Sequence, residues 1–103
     1  MISSQEVLIN VNRLQAQGYE ATEFPNPRSI LQYREFEKVY VDVDSLKVVE
    51  KVWQPIVDHY ATLPTDFPPI VIGENNEILD GKHRVAAAQK RGDRTIAAYK
   101  PLY

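Results

Sequence analysis

Residues 78–88, ILDGKHRVAAA, read as a strand end, a glycine turn and a helix start, and the rest of the fold can be built outward from them. Ala86, Ala87 and Ala88 favour helix, Lys90 and Arg91 complement the dipole at its far end, and Gly92 stops it, which predicts a helix from about Gly81 to Arg91. Its first turn holds Lys82, His83 and Arg84. A bare helix prefers acids there, because its unpaired N–H groups carry about +0.5 elementary charge. A bound anion would reverse the penalty. Phosphate is the usual one, held by backbone N–H groups, by a glycine that lets the backbone come close, and by charge-assisted side-chain hydrogen bonds. Asp80, Gly81, Lys82, His83 and Arg84 are therefore the candidate residues of a phosphate site.

Immediately upstream, Ile70, Val71 and Ile72 form a short apolar run, GENNE supplies a turn, and Ile78 and Leu79 resume, which predicts a hairpin. Downstream, Thr95 to Tyr99 reads as the last strand. Nearer the start, Ser3 and Glu6 match a capping box, and Val7, Leu8, Val11 and Leu14 keep helical spacing until Gly18. The stretch around Pro25 and Pro27 lacks periodicity and reads as a connector with one helical turn near Ser29 to Tyr33. Lys38 to Val43 alternates, with Val39, Val41 and Val43 on one face of a half-buried strand. Asp44 or Ser45 then caps a 3.6-residue repeat from Leu46 to Leu63, broken by Pro55 into two helices meeting near Trp53. The predicted order is α, β, α, β, β, α, β: an α+β domain with a small mixed β-sheet flanked by helices.

A chain of 103 residues makes one compact unit. With no cysteine it has neither disulfides nor thiolate chemistry. No apolar run approaches the roughly 20 residues that span a membrane, and the N-terminus does not resemble a signal peptide, so the expected location is cytoplasmic. The net charge of −2 hides an asymmetry: residues 1–80 carry 6 Lys and Arg against 13 Asp and Glu, while residues 81–103 carry 6 against 1. A basic patch on an acidic body suits a small phosphorylated ligand better than duplex DNA, which needs a broad basic face.

From Pro69 to Tyr99 the chain resembles the ParB/sulfiredoxin superfamily: a PIVV-like strand, a turn, a strand ending in a glycine and basic motif, an alanine-rich helix, a glycine and a strand. VYVDVDSLKVVEKVWQPIV resembles the family's opening strand and helix more weakly, so the likeness covers roughly residues 38–100, with residues 1–37 a preceding helix and Pro-containing arm. The resemblance implies a ParB-like N-terminal fold with a nucleoside triphosphate, ATP or CTP, at the start of the last helix. Sulfiredoxins place a catalytic cysteine where this chain has Lys82, which removes that activity. Partitioning ParB proteins carry a G-E-R-R motif and an added helix-turn-helix domain, neither of which is in these 103 residues. The free serine kinases of the superfamily show D-G-H-H-R, close to Asp80-Gly81-Lys82-His83-Arg84, and use a carboxylate for which Glu50 is the nearest candidate.

The resemblance thus implies nucleotide binding, with phosphoryl transfer or NTP hydrolysis as the enzymatic version. The rivals are a nucleotide-responsive module without turnover, acting through a homodimer or protein partner, and a DNA-binding or nuclease-like protein. Each residue has a plainer alternative. Asp80 either orients the cations, helps hold a metal, or caps the helix. Gly81 would look the same in a turn without ligand. Lys82 and Arg84 lie two apart and do not share a helix face, so they are equally two solvated charges. His83 donates to phosphate, shuttles a proton, or bonds a neighbouring strand. Asp42 and Asp44, with Glu35 and Glu37, would offer oxygens to magnesium only if their strand faced the phosphates. His59 lacks a second ligand at metal spacing and reads as structural. Trp53, Tyr40 and Tyr99 could stack a base, but aromatics in so small a domain are more often core, and none of them is assigned to a ligand.

Overall fold

A computed structural model describes residues 1–18, 27–46, 48 and 51–103. Strand β1 (Ile2–Ser3) leads into α1 (Ser4–Ala16); α2 (Pro27–Leu31) precedes the long strand β2 (Glu35–Asp42) and a 3-10 turn at Val43–Ser45. Helix α3 (Gln54–Ala61), the hairpin β3 (Ile70–Ile72) and β4 (Ile78–Asp80), α4 (Lys82–Arg91) and β5 (Thr95–Pro101) complete the chain. The five strands make one mixed sheet in the order β1-β2-β5-β3-β4. Among the described strands only β3 and β5 pair in parallel, and α4 carries the chain across between them, as a parallel neighbour requires. The α+β arrangement is the one expected from the sequence.

Side-chain alternation gives the sheet two buried faces. Ile70 and Ile72 of β3 with Ile96 and Ala98 of β5 meet Val85 and Ala88 of α4 and Val57 and Tyr60 of α3. On the other face, Phe36 and Val71 lie under Val7 and Val11 of α1 and Ile30 of α2. Helices therefore cover both sides. The Ser3 cap forms as expected, its Oγ accepting from the Glu6 N–H at 3.2 Å. Gly73 to Asn76 closes the hairpin turn, with the Asn76 N–H donating to the Gly73 carbonyl at 3.1 Å and Asn76 at φ 60°.

Three expectations need correction. No helix begins at Asp44 or Ser45: the 3-10 turn ends with the Leu46 N–H on the Val43 carbonyl, and Leu46 is already extended. The next helix among the described residues begins at Gln54, with Pro55 in the first turn where its missing N–H costs nothing. The short helix before β2 starts at Pro27 rather than Ser29, for the same reason. Strand β2 begins at Glu35, three residues before the predicted Lys38, and pairs with the unforeseen β1 through Ile2 opposite Phe36. A division at residue 37 thus falls inside a strand. Pro25, Glu50 and the connector over residues 19–26 lie outside the described residues.

Candidate functional site

Strand β4 ends at Asp80 and α4 begins at Lys82, so one residue, Gly81, must turn the chain. It does so at φ 107° and ψ 22°, in the left-handed region. Packing adds a second demand for glycine: a Cβ here would stand 2.5 Å from Ile70 Cγ2 and 3.1 Å from Arg84 Nη2. The turn is pressed against β3. The first helical hydrogen bond runs from the Val85 N–H to the Gly81 carbonyl at 3.0 Å. No side chain of the cap residue bonds the helix start, and no acid occupies its first turn. The acid nearest the positive end of the dipole is Asp80, one residue before the cap.

The three cations of that turn part company. Arg84 is wholly buried, at 0 % exposure, and its Nη2 donates to Asp80 Oδ2 at 2.9 Å. Its Nη1 donates to the carbonyls of Pro68 and Pro69, both at 2.8 Å. One guanidinium thereby joins the end of β4, the first turn of α4 and the entry to β3. Its charge is directed inward. His83 is also buried, at 2 %, and its Nε2 accepts the Trp53 N–H at 3.0 Å across the gap to α3. An accepting nitrogen carries no proton, so a neutral ring would hold its proton on Nδ1. Lys82 alone of the three is partly exposed.

Arg84, a ligand contact in the sequence reading, braces the turn with its guanidinium. His83 takes a similar part, fixing the start of α3 beside the start of α4. The signal for the first was present in the sequence as the four-residue spacing of Asp80 and Arg84, which places an acid and a base in register. The second had no local signal, since Trp53 and His83 stand thirty positions apart. Asp42, Asp44 and Glu37 are exposed. Among the described residues no group of three His, Asp or Glu side chains is placed to hold a metal. A cavity of about 170 Å³ lies elsewhere, between α1 and Pro68, Pro69 and Tyr99. Of the described titratable groups, Asp58 has a carboxyl held below the usual range, chiefly by hydrogen bonds from Lys90 and Gln54.

No family model and no curated protein matches the sequence. The architecture does find a counterpart: the solved structure of a Pnob8-like ParB-N domain, at a TM-score of 0.52 and 16 % identity, over 66 % of this chain. The fold is ParB-like. That relationship spans 30 % of the other chain, so it concerns one portion of a longer protein. At such low identity the ParB-like fold is established through backbone arrangement alone, and the sequence motif and the geometry around Gly81 stand as separate observations. Among the described residues no helix is long and apolar enough to cross a membrane.

Proposed function

We propose that this chain is a ParB-like domain that binds a nucleoside triphosphate, ATP or CTP, with its phosphates against the first turn of α4. The observation that carries this reading is the Gly81 turn, which aims a ten-residue helix whose first turn holds no acid and whose cap residue offers no side chain. Backbone N–H groups and the dipole supply the attraction, and Lys82 adds a partly exposed positive charge at the rim. Arg84, Asp80 and His83 hold the turn in shape, so the site is organised before ligand arrives. Magnesium would arrive on the phosphates.

Binding by itself makes a nucleotide-responsive module. Turnover would be phosphoryl transfer or hydrolysis, in which a protein acts mainly through positioning and charge neutralisation. Calorimetric titration with ATP, CTP, GTP and ADP, each with and without magnesium, tests the binding, and product analysis tests for turnover. Lys82→Ala should weaken affinity by about tenfold, the loss of one charge-assisted contact. Absence of binding for every nucleotide, or full affinity retained in Lys82→Ala, would overturn the reading. Salt-sensitive DNA binding without nucleotide binding would favour a nucleic-acid role instead.

A further inference from the structure

We infer that Trp53 is the stacking platform for the base of the nucleotide whose phosphates α4 holds, an inference that rests on the phosphate reading above. Trp53 is the sole tryptophan of the chain, and its side chain is 57 % exposed although it is the largest apolar group available for burial. The backbone beneath it is not loose. Its N–H donates to His83 Nε2 at 3.0 Å, and His83 is the second residue of α4 and almost wholly buried. The residue that carries this exposed ring is thus joined through its backbone N–H to the helix turn proposed to grip phosphate.

The neighbouring elements keep it there. Trp53 is the cap residue of α3, Pro55 restricts the chain just beyond it, and Val57 and Tyr60 anchor that helix in the core. Helices α3 and α4 are further tied by the ion pair between Lys90 and Asp58. An indole more than half exposed, on a backbone tied to α4, has little backbone entropy to lose, which is what base stacking needs. Stacking tolerates any base, so the residue would raise affinity for nucleoside phosphates as a class over inorganic phosphate chains. The acidic character of residues 1–80 favours a mononucleotide over a polynucleotide as the source of the base.

Being alone, Trp53 reports on its own contacts by fluorescence. Titration of the full chain with ATP or CTP should quench its emission saturably. Inorganic tripolyphosphate should compete for the site with little quenching. In Trp53→Ala, nucleotide affinity measured by calorimetry should fall about tenfold while tripolyphosphate affinity stays unchanged, and Trp53→Phe should restore most of the loss. Unchanged tripolyphosphate affinity also shows that the variant is folded. If tripolyphosphate and nucleotide bind equally well to wild type and Trp53→Ala, stacking is refuted and the phosphate site survives. If neither binds wild type, the phosphate site fails and the stacking with it. Quenching by a single-stranded oligonucleotide but not by free nucleotide overturns the mononucleotide assignment.

Discussion

At Gly81 two requirements coincide, and a substitution should separate them from the ordinary preference of a helix end. Gly92, at φ 80°, has open space where a Cβ would go, whereas Gly81 has Ile70 in the way. Gly92→Ala should therefore cost only the left-handed penalty of about 1–2 kcal/mol. Gly81→Ala should cost distinctly more, because β3 must also shift. Urea unfolding of the two variants measures the difference; equal losses would mean that Ile70 yields freely. Arg84 presents a sharper case. Its removal leaves the Asp80 carboxylate buried without its charge partner and takes a donor from two proline carbonyls, so Arg84→Ala should lose about 3–5 kcal/mol. Replacing Asp80 and Arg84 together by apolar residues should recover only part of that, since the carbonyls of Pro68 and Pro69 still lack the donor. Full recovery in the double variant would show that the carbonyl contacts contribute nothing.

Among the elements, α3 and α4 pack side by side, and their surfaces are linked by Asp58, which accepts from Lys90 and from Gln54 Nε2 at 2.9 Å. Those bonds favour the carboxylate and lower the pKa below its ordinary 3.8. A carboxyl with a depressed folded-state pKa stabilises the fold above its unfolded pKa, and the contribution disappears as pH falls through the folded value. The pair is solvent-exposed, so the effect is small and screened by salt. Asp58→Asn should lie slightly below wild type in stability near neutral pH, and the two should converge in strongly acidic solution. Urea midpoints at pH 7 and at pH 2–3 check this, and a gap that widened on acidification would contradict it. The elements also differ in how much the local sequence says about them. Helix α1 carries its own cap at Ser3, and α4 its glycine stop, so both ends were legible from residues a few positions apart. Strand β1 was not, because two residues have no periodicity and acquire a role only when Ile2 meets Phe36 across more than thirty positions.

Across the whole molecule, both faces of the sheet need their helices. Phe36 and Val71 are buried under α1 and α2, and burying a side chain such as Phe36 stabilises by about 1.5–3 kcal/mol. A chain starting at residue 38 would lose Phe36 and leave Val71 facing water. It should therefore fail to fold cooperatively, giving a broad thermal transition where the full chain gives a sharp one; a sharp transition in the fragment would show that the second core is dispensable. Alternation and capping, which act over a few residues, sufficed to read the α+β class, the hairpin and the glycine-led entry to α4 from the sequence. What became of Lys82, His83 and Arg84 was decided only by tertiary structure. A side chain's charge is written in its own residue, but whether that charge faces solvent or is used internally depends on acceptors brought to it from elsewhere: the Pro68 and Pro69 carbonyls for Arg84, and the start of α3 for His83. Burial makes such partners obligatory, because an unsatisfied charge or polar group inside a protein costs more than the contact itself contributes.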